Sequence, residues 1–312
     1  MAEIVGIGEI LVEIMATEIG QTFLEPGLFA GPYPSGAPAI FADQAARMGA
    51  RVAMIGCVGP DDFGTLNIRR LQASGADTSA IRRIPGSSTG IAFVTYKADG
   101  SRDFLFTIPT SASAALSAEQ LEPALFAGCR WFHVMGSSLF SPQIAKAVRR
   151  GVELARGQGA LISFDPNIRK ELLGLPEVAR TIAAVLEVAD LLLPSEADLE
   201  HLCPGRGEDA ALGDLLAAGR SMILLKKGAQ GSVYRDRERR IATPAFVAEE
   251  VDPTGAGDCF GGTFVACLAL GVPLERAVRL ANAAGALAVG KKGPMEGNST
   301  MAELEAFLAA RS

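Results

Sequence analysis

The chain has 312 residues, 49% of them hydrophobic and 21% charged, which is typical of a folded globular protein and unlike a disordered or collagen-like chain. Its 29 basic and 35 acidic side chains give a formal net charge of −6 at pH 7, which argues against a basic surface for nucleic acid. The most apolar stretches are shorter or more interrupted than the run of about 20 residues that a membrane-spanning helix needs, so no membrane partner is expected.

The cysteines and histidines bear on location and metal chemistry. The five cysteines are odd in number and form no CxxC pair, which fits reduced thiols in a cytosol. The acidic N-terminus lacks the basic start of a signal peptide. With two histidines in the chain, a metal site built from histidine ligands is not expected. These features predict a cytoplasmic protein.

In chain order, short apolar runs alternate with segments of helical periodicity. Strands are predicted at Ile4–Ile7, Val52–Val58, Trp131–Met135, Leu161–Asp165, residues 191–194 and Met222–Lys226. Helices are predicted at residues 38–48, 63–74, 142–156, 176–188 and 195–202. The alternation indicates an α/β fold whose mostly parallel sheet is covered by helices on both faces.

Two segments break this alternation. Residues 10–33 show no helical pattern, and residues 89–107 have the pattern of a β-hairpin around an Asp99-Gly100 turn. Two interpretations stay open: an accessory sheet that acts as a lid, or a decoration at the edge of the main sheet. Beyond these segments the C-terminal part is predicted to be nearly all helical, over residues 255–270, 273–290 and 300–310.

One constellation points to chemistry. The sequence DPTGAGD begins at Asp252 and runs into an apolar helix, so Gly255, Ala256 and Gly257 stand at a helix N-terminus. Their small size lets backbone N–H groups approach an anion closely. Asp258 follows in the first turn, where a carboxylate can accept a proton from a hydroxyl held beside a phosphate. The alternative is an acid that only complements the helix dipole; the glycine density favours the anion site.

These residues resemble the second signature of the ribokinase-like (PfkB) carbohydrate kinases. Four further segments are similar to that family in the right order: residues 35–64, 191–202, 226–233 and 281–293. The resemblance covers essentially the whole chain. It implies a ribokinase-like three-layer α/β/α fold, a single kinase domain over residues 1–312, with a small antiparallel β lid formed by residues 10–33 and 89–109.

The resemblance also implies an activity. A member of this family transfers the γ-phosphoryl group of ATP to a sugar hydroxyl, with Mg²⁺ and, in an option left open, a monovalent cation. Many members form a homodimer through the lid, and a homodimer is expected here too.

Site residues follow from the same resemblance. Asp258 would be the general base, and the amides of Gly255, Ala256 and Gly257 would form an anion hole. The residues expected at the nucleotide are Lys227, Gly228, Gly231, Thr254 and Asn282. Those expected at the sugar are Glu13, Gly36, Asp43, Arg169 and Asp258.

Two departures from the family pattern bear on these roles. The usual sugar-contacting Asn is replaced by Ile40. Asp43 lies one turn later on the same helix face and is the candidate substitute. The alternative is that Asp43 is an acid on the solvated side of the helix. The metal-associated Asn-x-x-Glu pattern becomes Ser195 to Asp198, which leaves open whether Glu196 or Asp198 serves Mg²⁺. Ser195 and Asp198 could also form a capping box.

The sugar is predicted from two segments. DPNIR, at residues 165–169, resembles the branch that contains 2-keto-3-deoxygluconate kinases, fructokinases and tagatose kinases. Residues 104–112 lack the Tyr and Arg with which acid-sugar kinases hold a carboxylate; Ile108 replaces the Arg, which leaves only Arg169. We therefore expect a neutral ketohexose, tagatose or fructose, with most resemblance to tagatose kinases. The alternatives are a 2-keto-3-deoxygluconate kinase, a nucleoside kinase and a catalytically silent sugar-binding sensor.

Overall fold

The structure is a computed structural model that describes residues 1–99, 101–168 and 176–311. Apolar and β-branched runs form its strands, because such side chains pack well on a pleated surface. The strands are β1 (Ile4–Ile7), β2 (Leu11–Ile19), β3 (Phe29–Ser35), β4 (Val52–Val58), β5 (Ile81–Arg83), β6 (Gly90–Tyr96), β7 (Arg102–Phe106), β8 (Trp131–Met135), β9 (Leu161–Asp165), β10 (Leu191–Leu192), β11 (Met222–Lys226), β12 (Ser232–Arg235) and β13 (Arg240–Thr243).

Several helices begin at side-chain caps. The side chains of Asp61, Ser141, Ser195 and Thr300 each accept a hydrogen bond from a backbone N–H in the first turn of the helix that follows. The helices are α1 (Ala37–Arg47), α2 (Asp62–Ser74), α3 (Pro142–Gly157), α4 (Pro176–Val188), α5 (Glu196–Leu202), α6 (Glu208–Ala217), α7 (Ala256–Ala269), α8 (Leu274–Val289) and α9 (Met301–Ala309). None of the helices in the described part of the chain is long and apolar enough to cross a membrane.

A nine-stranded sheet lies at the centre, in the order β13-β12-β11-β10-β9-β8-β1-β4-β5. The strands from β11 to β5 pair in parallel, and β12 and β13 extend one edge in antiparallel pairing. The mostly parallel sheet is as predicted, whereas the sequence analysis missed β5, β12, β13 and α6.

Helices cover both faces of this sheet. Successive side chains of a strand point to opposite faces. In β1, Ile4 joins the apolar cluster with α1, α7 and α8, whereas Val5 joins the cluster with α3, α4 and α6. Strands buried on both faces are nearly continuous apolar runs, which made them easy to predict. The predicted three-layer α/β/α architecture is confirmed.

A second sheet has four strands in the order β3-β2-β6-β7, and we call it the lid. It is separate from the main sheet, so an accessory sheet is present and the edge decoration is wrong, whereas its action as a lid stays a prediction. The outer pairs, β2 with β3 and β6 with β7, are antiparallel as predicted. The middle pair, β2 with β6, runs parallel, with Leu11 opposite Gly90.

Asp61 fastens the lid to the rest of the molecule. Its carboxylate accepts the N–H of Gly64, at 2.8 Å, and thereby caps α2. It also accepts the N–H and the hydroxyl of Thr89, at 2.7 and 2.6 Å, and Thr89 immediately precedes β6. Burial acts to raise the pKa of Asp61, but these hydrogen bonds outweigh it and lower the pKa below its usual value.

Candidate active site

Two cavities lie at the carboxyl ends of the parallel strands, the edge where open α/β sheets bind ligands. One, of about 310 Å³, lies between the ends of β9 and β11 and the lid, and we call it the lid cavity. The other, of about 520 Å³, lies between the β11–β12 turn, residues 245–248 and helices α7 and α8, and we call it the outer cavity.

The Gly-rich segment lies where the two cavities meet. Gly255 precedes α7 in the left-handed conformation, at φ 78°, and a Cβ there would collide with a backbone carbonyl, so glycine is required. Asp252 holds this loop, because its carboxylate accepts the N–H groups of Thr254 and Gly293, each at 3.0 Å. Gly257 lines both cavities.

The first turn of α7 presents different groups to the two sides. Asp258 lines the lid cavity, whereas Ala256 lines the outer cavity. The N–H groups of this turn and the helix dipole favour an anion at the same place. The structure thus brings Gly255, Ala256, Gly257 and Asp258 together at the border of the cavities.

Two buried glutamates lie on the lid side. Glu13 on β2 is 6% exposed and accepts a hydrogen bond from the hydroxyl of Ser35 at 2.6 Å. Glu9, between β1 and β2, accepts hydrogen bonds from the hydroxyl of Ser138 and, at 3.1 Å, from that of Ser137.

Gly36 lines the same cavity, and a Cβ there would stand 2.5 Å from the carbonyl oxygen of Glu9. The sequence analysis found Glu13 and Gly36 and missed Glu9, although its position just after β1 was an available signal.

A buried ion pair forms the floor of the lid cavity. The ammonium of Lys226, at the end of β11, donates to the carboxylate of Asp165, at the end of β9. Burial raises the pKa of Asp165 to about 6, against the opposing effect of Lys226. Burial acts to lower the pKa of Lys226, but Asp165 and nearby carboxylates outweigh it and raise the pKa. Both groups are therefore charged at neutral pH. The sequence analysis did not assign either residue a role.

Of the two metal candidates, the structure brings one to the cavity. Asp198 lines the lid cavity, and its carboxylate accepts the N–H and hydroxyl of Ser195, at 2.8 and 2.6 Å, and the N–H of Ile168, at 2.8 Å. The capping box named as an alternative is therefore present. Glu196 is exposed and does not line the lid cavity.

Asp43 is not brought to either cavity. It is fully buried on α1, where its carboxylate accepts hydrogen bonds from Arg70 at 3.0 Å, Arg47 at 3.0 Å and Asn298 at 2.8 Å. The predicted sugar contact is wrong, and so is the alternative of a solvated helix acid. The physical reason is that two arginines and an amide use the carboxylate completely.

Three other predicted residues need comment. Lys227 lines neither cavity, because its ammonium pairs with Glu208 at 2.5 Å; its neighbour Lys226 lines both. Thr254, predicted at the nucleotide, lines the lid cavity instead. Arg169 lies outside the described residues.

Arg102 on β7 lines the lid cavity and was also missed. Its guanidinium donates to the hydroxyl of Thr254 at 2.7 Å and lies 5.5 Å from the ring centre of Phe104. The contact with Thr254 joins residues 152 positions apart and connects the lid to the loop before α7. The inference that only Arg169 is left to pair with a carboxylate is therefore wrong, since Arg102 brings a guanidinium to the cavity from a position outside residues 104–112.

The outer cavity is lined mainly by small and apolar side chains. Gly228, Gly231 and Asn282 on α8, all predicted at the nucleotide, line it together. The amide nitrogen of Asn282 donates to the hydroxyl of Ser232 at 2.7 Å and to the carbonyl of Val278 at 2.9 Å. Because both N–H bonds are used inside the protein, a ligand would meet the amide oxygen of Asn282.

The glycine-rich helix N-terminus lies between a charged cavity and a more apolar one. This is the arrangement that a phosphotransferase acting on small molecules needs. The chain belongs to the pfkB family of carbohydrate kinases, whose family model matches residues 2–301. The family resemblance seen in the sequence is thereby confirmed.

Similar proteins support this assignment. The chain is 34% identical over 310 residues to Fructokinase-1 of Oryza sativa subsp. japonica, with 96% of each chain covered. An E. coli protein provisionally named ribokinase II, solved without ligand, is 47% identical with a TM-score of 0.96, over 99% of this chain and 100% of that one. The fructokinase of Vibrio cholerae O395, solved with fructose, ADP and a calcium ion, is 26% identical with a TM-score of 0.84, over 98% and 99% of the two chains.

Proposed function

We propose that this protein is an ATP-dependent kinase of a neutral ketohexose. Fructose is the sugar we expect it to prefer, and tagatose is the next candidate. The observation that carries the proposal is the border between the cavities, where Asp258 faces one side of a glycine-rich helix N-terminus and Ala256 the other. The named fructokinases among the relatives favour fructose over the tagatose that the sequence pattern favoured.

In the proposed reaction the sugar lies in the lid cavity with its reactive hydroxyl beside Asp258. The Asp258 carboxylate accepts the hydroxyl proton while the sugar oxygen bonds to the γ-phosphorus. The bond from that phosphorus to the β–γ bridging oxygen breaks, and ADP leaves with the electron pair. The amides of Gly255, Ala256 and Gly257 donate to the phosphoryl oxygens, where charge is spread in the transition state.

The buried carboxylates would hold the sugar. Glu13 accepts one serine hydroxyl, and Glu9 accepts a serine hydroxyl at each of its two carboxylate oxygens. Each carboxylate oxygen can accept more than one hydrogen bond, so sugar hydroxyls could donate to the same oxygens. A neutral sugar has many such donors and no charge to repel these acids, which supports a neutral ketohexose.

The outer cavity would hold ATP. Its apolar walls suit an adenine ring, and the amide oxygen of Asn282 could accept from the 6-amino group. Gly228 and Gly231, in the turn after β11, leave room for the ribose and phosphates. At Gly231, φ 96°, a Cβ would collide with the carbonyl oxygen of Thr243, so this tight turn requires glycine.

Mg²⁺ fits the floor of the lid cavity. Asp165 has a buried carboxylate oxygen without a hydrogen-bond partner among the described residues, and Asp198 lies close enough to affect its pKa. Mg²⁺ in kinases is bound by one or two carboxylates together with phosphates and waters. This pair is therefore sufficient, although the described residues contain no cluster of three or more ligand side chains. When bound, the ion would neutralise charge on the ATP phosphates.

The proposal includes a homodimer formed through the lid and a cytoplasmic location. Leu105 on β7 is 46% exposed and Ile19 on β2 is 74% exposed, so the lid carries apolar side chains that a second copy could cover. All five cysteines are free thiols, which suits a reducing compartment. Light scattering after size exclusion would test the dimer, and a Leu105→Glu variant that stays dimeric would contradict this interface.

A second candidate substrate is an acid sugar such as 2-keto-3-deoxygluconate. The observation that favours it is Arg102, whose guanidinium lines the lid cavity and could pair with a carboxylate. Against it, Arg102 already donates to Thr254.

One assay separates these functions: sugar-dependent ADP release with Mg·ATP across fructose, tagatose, 2-keto-3-deoxygluconate, ribose and adenosine, with and without K⁺. We expect the highest kcat/KM for fructose or tagatose. A preference for the acid sugar would establish the second candidate, and a preference for adenosine a nucleoside kinase. Sugar binding by calorimetry without ADP release would identify a silent sensor.

A further inference from the structure

The border between the two cavities consists of few residues. Those that line both are Lys226, Pro253 and Gly257. Lys226 is the member of this set with a charged side chain. Any phosphoryl group that passes from the outer cavity to the lid cavity must cross this border, so the groups here meet it in both positions.

The Lys226 ammonium lies beside the glycine-rich helix turn. A Cβ placed on Gly257 would stand 3.5 Å from the Lys226 nitrogen, so the ammonium and the Gly257 backbone face the same small space. The side chain of Lys226 is 15% exposed and that of its partner Asp165 is 1% exposed. An ammonium has three N–H donors, and the hydrogen bond to Asp165 uses one of them.

The Lys226 ammonium is ion-paired with the buried carboxylate of Asp165, and the carboxylates of Asp258 and Asp198 line the same cavity. The other cation that lines the lid cavity among the described residues, Arg102, is on the lid and donates to Thr254. Lys226, on β11 of the main sheet, is therefore the positively charged side chain outside the lid at the place where the phosphoryl group would cross.

We propose that Lys226 is a further catalytic residue that donates hydrogen bonds to the γ-phosphoryl group of ATP and follows it during transfer, with Asp165 as its positioning residue. The inference rests on the proposed kinase function. Lys226 keeps its proton throughout: the sugar oxygen forms the new bond to phosphorus, the bond to the bridging oxygen of ADP breaks, and the hydroxyl proton goes to Asp258. The ammonium contributes charge where the loose transition state concentrates it.

The competing explanation is a purely structural ion pair that ties β9 to β11. A buried pair that loses one partner leaves an uncompensated charge and destabilises the fold, whereas removal of both charges often does not. Three variants separate the explanations: Lys226→Met, Asp165→Asn and the double variant. The double variant contains no unpaired charge, so it separates loss of the ammonium from the effect of an uncompensated buried carboxylate.

The first measurement is the affinity for Mg·AMP-PCP relative to Mg·ADP, by calorimetry. These probes differ in the γ-phosphoryl group, so a residue that contacts this group changes their ratio. We expect Lys226→Met to reduce the preference for AMP-PCP by about 10- to 150-fold, the range of a lost hydrogen bond to a charged group. The double variant should reduce it as much as Lys226→Met does, because it also lacks the ammonium. Lys146→Met, on the exposed face of α3, should leave it unchanged.

The second measurement is turnover. We expect kcat of Lys226→Met to fall by about 100-fold or more, while KM for the sugar changes less than about threefold, because the interaction is made to the transferred group. A folded Lys226→Met variant or double variant that keeps the wild-type affinity ratio would overturn the proposal. If the wild-type protein releases no ADP with any sugar, the proposed function fails, and the AMP-PCP ratio still decides the role of Lys226.

Discussion

The two cavities share a border and differ in their linings. The lid cavity is lined by charged side chains from the strand ends, the lid and α7: Glu9, Glu13, Arg102, Asp165, Asp198, Lys226 and Asp258. The outer cavity is larger, and among the described residues its charged side chains are Lys226 and Glu250. In the proposed function the lid cavity would recognise hydroxyls and accept a proton, whereas the outer cavity would recognise mainly the shape of its ligand.

This difference explains how a chain with a net charge of −6 can use an anionic ligand. The acids gather where a neutral, hydroxyl-rich ligand is expected. In the proposed function the anion would be met by backbone N–H groups at the start of α7 and by one ammonium. Local geometry, and not the overall charge, decides the binding.

The largest expected effect is on the lid side. Asp258→Asn keeps the size of the side chain and removes the base, so kcat should fall by about 10²–10⁴-fold. Binding of sugar and of Mg·ADP, measured by calorimetry, should change less than about threefold. If Asp258→Asn keeps turnover within tenfold of the wild type, another group accepts the proton, and Asp258 only helps to bind the sugar.

The next effect concerns the contact between lid and loop. Arg102→Met should raise KM for the sugar by about 10- to 150-fold, since it removes a hydrogen bond of a charged group. Thr254→Val removes the acceptor of the same bond and serves as the matched variant. Equal effects mean that Arg102 acts by holding the lid; a larger effect of Arg102→Met means that it contacts the substrate directly.

The outer cavity should respond more weakly. Asn282→Leu removes one neutral hydrogen bond, so KM for ATP should rise by about 2- to 13-fold while KM for the sugar stays constant. Ser232→Ala, which removes a partner of the Asn282 amide, is the control for its orientation. An equal rise in the KM for the sugar would show that the two cavities do not bind their ligands independently.

The smallest effect lies in the core beside the lid cavity and concerns pH. His133 is fully buried, stacks on Phe41 at 3.6 Å between ring centres and contacts Ser163 at 2.9 Å. Burial, with Lys226 adding to it, lowers the pKa of His133 well below its usual value. The unfolded chain therefore binds a proton that the folded chain does not, and stability falls as pH drops below about 6.5, by at most about 1.4 kcal/mol per pH unit.

Asp165 acts in the opposite direction, because its raised pKa lets the folded chain bind a proton first as pH falls through about 6. Comparing wild type with His133→Asn by urea unfolding at pH 5.5, 6.5 and 7.5 cancels that contribution. The stability difference between the two proteins should shrink towards low pH. A constant difference would show that His133 does not titrate as described.

Most of the fold could be predicted because the relevant signals are local. β4, for example, is buried on both faces and is a continuous apolar run. The edge strands gave no such signal: β13 is short, half exposed and begins with Arg240. The parallel pairing inside the lid could not be predicted either, because it joins segments that are distant in the sequence.

The same rule applies to the site. The anion-binding turn could be predicted, since glycine spacing and a following helix are local features. Lys226 and Arg102 were missed because their positions depend on contacts with Asp165 and Thr254, 61 and 152 positions away. Asp43 failed for the same reason: helical spacing gives the face of α1, and only the tertiary fold places Arg70 against it.

The parallel pairing of β2 with β6 has a consequence for folding. Leu11 meets Gly90 only after β4, α2 and β5 have returned the chain to the same place. Closing so large a loop is slow and costs chain entropy. Contacts within the main sheet must form first to compensate this loss of entropy. Asp61, which caps α2 and holds Thr89, then sets the point at which β6 begins. The lid is therefore expected to form late in folding, and residues 10–33 and 89–109 should not form this sheet as isolated peptides.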